Sequence, residues 1–249
     1  MFEIAIIGGT GFNTFEGAQL IAGTQLPVDT ATPYGEISAP LQVFALGERR
    51  CCFIARHGQP HRIPPHRINY RANLWALKQC GARSVIAVNA VGGIATHMQT
   101  GVIAIPDQII DYTYGREHTY YDGDAAILDH VDFSQPYCGL LRERLLQAAM
   151  AAGVAVVGGG VYGAMQGPRL ESAAEIDRLQ RDGCAVVGMT GMPEAALARE
   201  LNLNYAALCL VVNPAAGRSS EPITLEKMQT AMAAGMLDIQ KILRAVLSA

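Results

Sequence analysis

Short runs of β-branched and other apolar residues alternate along this chain with stretches of helical periodicity, and most of the runs stop at a glycine or a small polar cluster. A strand that reads apolar throughout must be covered on both faces, which is the condition of a parallel sheet between helix layers. Strands are expected over 4–7, 41–46, 51–55, 84–91, 102–105, 154–164, 184–188 and 205–212, with 41–46 and 51–55 forming a hairpin around Gly47. Helices are expected over 69–80, 140–152, 171–180, 193–201 and 225–247, with Gly81 and Gly153 as the residues that end the first two. No linker, repeat or low-complexity segment interrupts the pattern. Residues 1–249 are therefore expected to form one α/β domain, with a mixed, largely parallel sheet flanked by helices.

The bulk properties narrow the function. A net charge of −3 provides no basic field, so neither nucleic acid nor an anionic membrane is an expected partner. No apolar run is long enough to span a bilayer, and no charged segment precedes the first strand, so a cytoplasmic location is expected. The six cysteines are scattered through apolar stretches without a C-x-x-C pair, as reduced and buried thiols would be. His57, His61 and His66 share a proline-rich stretch but lack zinc spacing, so no metal site is expected.

The chemistry sits at the strand ends. Gly8-Gly9-Thr10-Gly11, Arg56-His57-Gly58, Asn89-Ala90-Val91-Gly92-Gly93, Met189-Thr190-Gly191 and Asn213-Pro214 each follow or end an expected strand. In open α/β sheets ligands bind at the carboxyl edge, so these segments are expected to line one pocket. The first of them lacks the third glycine of the dinucleotide fingerprint, and no acidic residue ends a second strand at the right distance, which argues against a nicotinamide cofactor. Glycines there still let backbone N–H groups approach an anion, with the Thr10 hydroxyl as a further donor. Arg56 after an apolar strand is costly unless it is paired with a carboxylate or used on a ligand; beside two threonines and a glycine-rich turn, an oxyanion site is the expected use.

These segments, with Asn69-Tyr70-Arg71-Ala72-Asn73-Leu74-Trp75-Ala76-Leu77-Lys78, Gln166-Gly167-Pro168-Arg169 and Pro193-Glu194, resemble the trimeric purine nucleoside phosphorylase and methylthioadenosine phosphorylase family, in order from about residue 4 to the terminal helix. The resemblance implies a nucleoside phosphorylase-like fold, inorganic phosphate as co-substrate, no cofactor, and a homotrimer. It implies a phosphate site of Thr10, Arg56, His57, Asn89, Ala90 and Thr190, with Met189 packed on the ribose. Asn213, Pro214, Ala215, Gln166 and Leu170 would meet the substrate, and Arg56, His57 and Asn213 would serve the bond cleavage.

Departures from the family pattern shape the expected substrate. The adenine-reading branch has Asp-x-Asp where this chain has Asn213-Pro214-Ala215, so the charged partner for a 6-amino group is lost, and Asn213 both donates and accepts. Gln166 replaces the usual glutamate, and Leu170 replaces an aromatic residue. The last histidine is His130, so the terminal helix carries none to meet a 5′-hydroxyl. Leu225 and Met228, on one helix face, are expected instead to form an apolar 5′ pocket, with Glu171 a further specificity residue and His130 contributed by a neighbouring subunit. Residues 215–222 read as a mobile loop that closes over the site. The expected reaction is phosphorolysis of S-methyl-5′-thioinosine. Alternatives are a methylthioadenosine or a general 6-oxopurine phosphorylase and, in other classes, a hydrolytic nucleosidase or a non-catalytic purine-binding protein.

Overall fold

The structure, a computed structural model, describes residues 3–12, 19–20, 31–46, 49–123 and 128–248. Its strands are β1 (Ile4–Gly8), β2 (Gln19–Leu20), β3 (Ala31–Thr32), β4 (Gly35–Glu36), β5 (Gln42–Leu46), β6 (Arg49–Ala55), β7 (Ser84–Gly93), β8 (Ile103–Ile105), β9 (Gln108–Asp111), β10 (Val156–Gly158), β11 (Val161–Ala164), β12 (Cys184–Gly188) and β13 (Asn204–Pro214). The helices are α1 (Tyr70–Gln79), α2 (Gly139–Ala151), α3 (Ala173–Arg181), α4 (Gly191–Glu200) and α5 (Leu225–Ser248). All but β3 and β4 join one mixed sheet, whose main path runs β10-β8-β13-β7-β1-β6-β5-β2. Its centre, β13-β7-β1-β6, is parallel throughout. The turn expected at Gly47 lies outside the described residues, while the strands flanking it pair antiparallel as expected.

Strand β1 shows why the central strands are apolar on every residue. Ala5 and Ile7 belong to the core beneath α1 and α4; Ile4 and Ile6 belong to the core beneath α2 and α5. Side chains alternate across a pleated strand, so covering both faces leaves no place for a polar residue except the end. Among the described residues no helix is long and apolar enough to cross a membrane.

Three local expectations are corrected. The strand expected over 154–164 is two, because Gly159 and Gly160 take φ of 117° and 104°, which breaks an extended run. The chain then leaves β8, which β10 pairs, for β9 and β12, which β11 pairs. Strand β9 itself was not expected, being short and half-polar. Helix α3 starts at Ala173, where Ser172 and Glu175 form a reciprocal capping box, so Glu171 precedes the helix.

Two irregularities open the site. At its end β7 stays paired with β13 and also pairs antiparallel with β12, through Gly92 and Gly93. Opposite, the β13 register slips between Val211 and Asn213. Consecutive strand residues normally face opposite sides, and a bulge cancels that alternation. Val212 and Asn213 accordingly both line the cleft that forms there.

Candidate active site

The cleft lies at the carboxyl ends of β1, β6, β7, β12 and β13, so the five polar strand ends converge as the alternation pattern implies. Thr10, Arg56, His57, Ala90, Met189, Thr190 and Asn213 all line it.

Its most constrained member is Arg56, which is 1% exposed. The guanidinium makes a two-pronged pair with Glu194 at the α4 start: Nε to Oε2 at 2.9 Å and Nη2 to Oε1 at 2.9 Å. Nη1 donates to Oδ1 of Asn89 at 2.9 Å and to Oγ1 of Thr190 at 3.2 Å. Tyr205 donates its hydroxyl to Glu194 at 2.8 Å. Burial works against the Arg56 charge, but the Glu194 carboxylate outweighs it and holds the proton more firmly than usual. Both sequence readings of Arg56 are thus realised at once: it is paired with a carboxylate and it lines the cleft. Gly9 makes this possible, since a Cβ there would lie 2.4 Å from the Val88 carbonyl oxygen and 3.0 Å from Nη1 of Arg56.

Asn89 is 2% exposed and stands behind this network rather than on the cleft wall. Its Oδ1 is occupied by Arg56 and Thr190, and its Nδ2 faces Sγ of Cys209 at 3.8 Å. Through Oδ1, Asn89 helps to orient the Arg56 guanidinium.

His57 is 7% exposed and stacks on His61, ring centroids 4.4 Å apart. Its Nδ1 lies 2.8 Å from the carbonyl oxygen of Ile63. Burial, and after it the Arg56 charge, lower its pKa to about 4.

The cleft is also lined by Asn213, Glu171 and Leu170. Asn213 is buried, and its Nδ2 donates to the Pro214 carbonyl at 2.7 Å. Glu171 is half-buried, and burial raises its carboxyl pKa. Three residues expected here, Gln166, Pro214 and Ala215, do not line the cleft. Ala215 is 2% exposed among Ile94, Ile176, Leu179 and Val187, and Pro214 lines a second cavity that Val212 and Asn213 also border. The bulge that turns Val212 and Asn213 toward the cleft leaves Pro214 and Ala215 off its lining. Gln166 is held by Arg116: its Oε1 accepts from Nε at 3.1 Å and its carbonyl from Nη2 at 2.8 Å.

From α5, Met228 and Met232 line the cleft one turn apart. Leu225 does not; it is 67% exposed at the helix start. His130 is exposed and is not among the residues lining this chain's own cleft. The 215–222 segment joins Asn213 to α5, with Arg218 tied to Asp177 at 2.9 Å and to Gln180 at 2.7 Å on α3.

Arg116 was missed by sequence reasoning. It is 8% exposed and donates to the carbonyls of Met165, Gln166, Met189 and Met192 and to the Tyr70 hydroxyl. It sits in a stretch without periodicity, where an isolated arginine gives no signal. Glu194 and Tyr205 were also missed as supports of Arg56, although Pro193-Glu194 stood out as a motif. Met232 escaped because only the start of the terminal helix was matched.

Comparison with known proteins gives one consistent finding. The family model described as the phosphorylase superfamily matches residues 3–248. Over its full length, and all of the relative's, the chain is 54% identical to a probable S-methyl-5′-thioinosine phosphorylase of Pseudomonas syringae pv. tomato. It is 42% identical to a 6-oxopurine nucleoside phosphorylase of Pyrococcus furiosus, covering 99% of this chain and 92% of that one. Among solved structures, methylthioadenosine phosphorylase from Schistosoma mansoni in complex with adenine superposes with a TM-score of 0.88 at 28% identity, covering 100% of this chain and 91% of the other.

Proposed function

Because the chain belongs to the phosphorylase superfamily, we propose that it cleaves S-methyl-5′-thioinosine with inorganic phosphate, giving hypoxanthine and 5-methylthioribose 1-phosphate. One observation carries the reading: a single cleft is lined by Thr10, Arg56, His57 and Thr190, by Asn213 and Glu171 in place of an Asp-x-Asp pair, and by Met228 and Met232. The relative at 54% identity, named for this activity, supports it.

Phosphate is held at the Arg56, His57, Thr10 and Thr190 end. One of its oxygens attacks C1′, and the C1′–N9 electron pair leaves with the purine. Met189, half-buried on the cleft wall, offers a soft apolar surface to the sugar. With Nδ2 of Asn213 engaged by the Pro214 carbonyl, its Oδ1 is available to accept from a proton carried on N7 of the departing ring. Glu171 favours a 6-oxopurine for an elementary reason: the lactam presents an N1–H donor to a carboxylate, while adenine presents a lone pair there. Leu170 packs on the base in place of an aromatic ring. Met228 and Met232 suit a methylthio group and give a 5′-hydroxyl no partner.

The same reading includes a cytoplasmic homotrimer in which His130 of a neighbouring subunit reaches the 5′ end. The exposure of His130 on its own chain is compatible with that contribution.

The test compares methylthioinosine, methylthioadenosine and inosine, each with and without phosphate. Methylthioinosine should exceed the other two in kcat/KM by about tenfold or more. A methylthioadenosine rate close to it defeats the base assignment, and base release in phosphate-free buffer makes the enzyme a nucleosidase.

A further inference from the structure

The anion end of the cleft has an unusual balance. A phosphate site is ordinarily pictured as a set of cations and N–H donors. Here the cation is already matched: the Arg56 guanidinium holds Glu194 through two 2.9 Å hydrogen bonds in the interior. Among the described residues that line the cleft, the other charged group is Glu171, at the base end. Recognition at this end therefore depends on which atoms donate and which accept, not on excess positive charge.

His57 fixes one of those roles. A carbonyl oxygen only accepts, so the 2.8 Å contact between Nδ1 and the Ile63 carbonyl places the ring hydrogen on Nδ1. Nε2 has no partner among the described residues, and the ring lines the cleft. The groups that face the ring oppose a second proton: Arg56 is its chain neighbour, and His61 is stacked on it at 4.4 Å. Burial acts in the same direction, and the ring is neutral at physiological pH. A neutral ring whose Nδ1 carries the hydrogen offers a lone pair at Nε2.

Resting on the phosphorylase reading above, we infer that this cleft selects an oxyanion that itself carries a proton, with a P–OH group donating to Nε2 of His57. Phosphate and arsenate satisfy this at neutral pH because each retains at least one hydroxyl. Sulfate, of nearly the same size and shape, has none; it sets an oxygen lone pair against the Nε2 lone pair. His57 is then the specificity-determining residue for the co-substrate. Its contact with Ile63 is what makes it an acceptor.

The experiment is calorimetric titration of the intact protein with inorganic phosphate and with sulfate at neutral pH and matched ionic strength, using no nucleoside. Phosphate should bind about tenfold to a hundredfold more tightly than sulfate, the range for leaving one buried polar pair unmade. Arsenate should follow phosphate. In His57→Gln the amide can turn an N–H toward the ligand, so the preference should fall toward unity through a gain in sulfate affinity. If that variant does not fold, the ¹⁵N spectrum of the native imidazoles decides: Nε2 of His57 should show the shift of an unprotonated nitrogen. Sulfate binding within threefold of phosphate, or a protonated Nε2, overturns the inference. Phosphate-dependent nucleoside cleavage with equal sulfate binding would sink this inference alone; cleavage without phosphate would sink the reading beneath it.

Discussion

Arg56 and Glu194 face each other in a two-pronged ion pair at 2.9 Å, with side chains 1% and 2% exposed, at the point where β6 ends and α4 begins. Such a pair is a weak net source of stability, since desolvating both charges offsets most of their attraction. Its value is geometric. The pair leaves Nη1 as the guanidinium nitrogen aimed at Asn89 and Thr190, beside the cleft.

Removing one partner of this pair strands the other in the interior. Glu194→Gln keeps the shape but gives the guanidinium a neutral partner, one end of which donates. The expected loss is about 3–5 kcal/mol, read as a lower urea midpoint. The KM for phosphate should rise with it, because the guanidinium loses the partner that fixes Nη1 toward Asn89 and Thr190. A variant as stable as the parent would mean that the two charges do not depend on each other.

His57 ties stability to pH. Its folded pKa is about 4, below the ordinary 6.5, because burial and then Arg56 disfavour its charged form. Between these values the unfolded chain binds a proton that the native chain refuses, so stability rises with pH there. The contribution is complete above 6.5 and is lost as pH falls toward 4. Its ceiling is about 3 kcal/mol, since each pH unit separating the two values is worth about 1.4 kcal/mol. Melting temperatures from pH 8 to pH 4.5 should fall more steeply for the parent than for His57→Gln, which has nothing to titrate. Parallel curves would show that this ring does not titrate as its surroundings require.

The apolar end distinguishes two residues that helical spacing places together. Met228 lines the cleft and Leu225 is 67% exposed. Met228→Gln, similar in length but polar, should lower the preference for methylthioinosine over inosine by about tenfold, because the amide must be desolvated against a thioether and not against a hydroxyl. Leu225→Ala should change neither rate by more than about twofold, as befits an exposed position. Equal effects would return Leu225 to the pocket.

How much of this was legible follows from which signals are local. The strand ends were readable because a doubly covered sheet leaves polar residues nowhere else to stand, and Thr10, Arg56, His57, Thr190 and Asn213 all converge. What periodicity does not encode is a departure from alternation. The slip at Val211 and Asn213 decides that Asn213 faces the cleft while Ala215 is buried behind it. Asn89 was readable as a polar strand end but not as a residue already spoken for, because its partners are 33 and 101 positions away. The glycine pair at 159–160 was visible in composition, yet a glycine-rich strand and a break between two strands look alike until φ is known.

Arg116 carries the last prediction. Its guanidinium joins the Met165–Gln166 carbonyls at the end of β11 to the Met189 and Met192 carbonyls around the α4 start, and it lies 5.6 Å from the Tyr70 ring centroid. Those segments carry Met189, Pro168, Leu170 and Glu171, which all line the cleft and meet the nucleoside in the proposed reading. A single cation satisfying several carbonyls fixes the spacing between them, and five N–H donors in a rigid fork suit that task better than an ammonium. Arg116→Lys should therefore hold fewer of the carbonyls and raise the nucleoside KM several-fold, while the phosphate KM, set at Arg56 and His57, stays near its parent value. Arg116→Met removes every donor and should also unfold at lower urea, since buried carbonyls lose their partners at about 1–3 kcal/mol each. A rise in phosphate KM equal to that for nucleoside would mean that Arg116 supports the whole fold and not the spacing of one half-site.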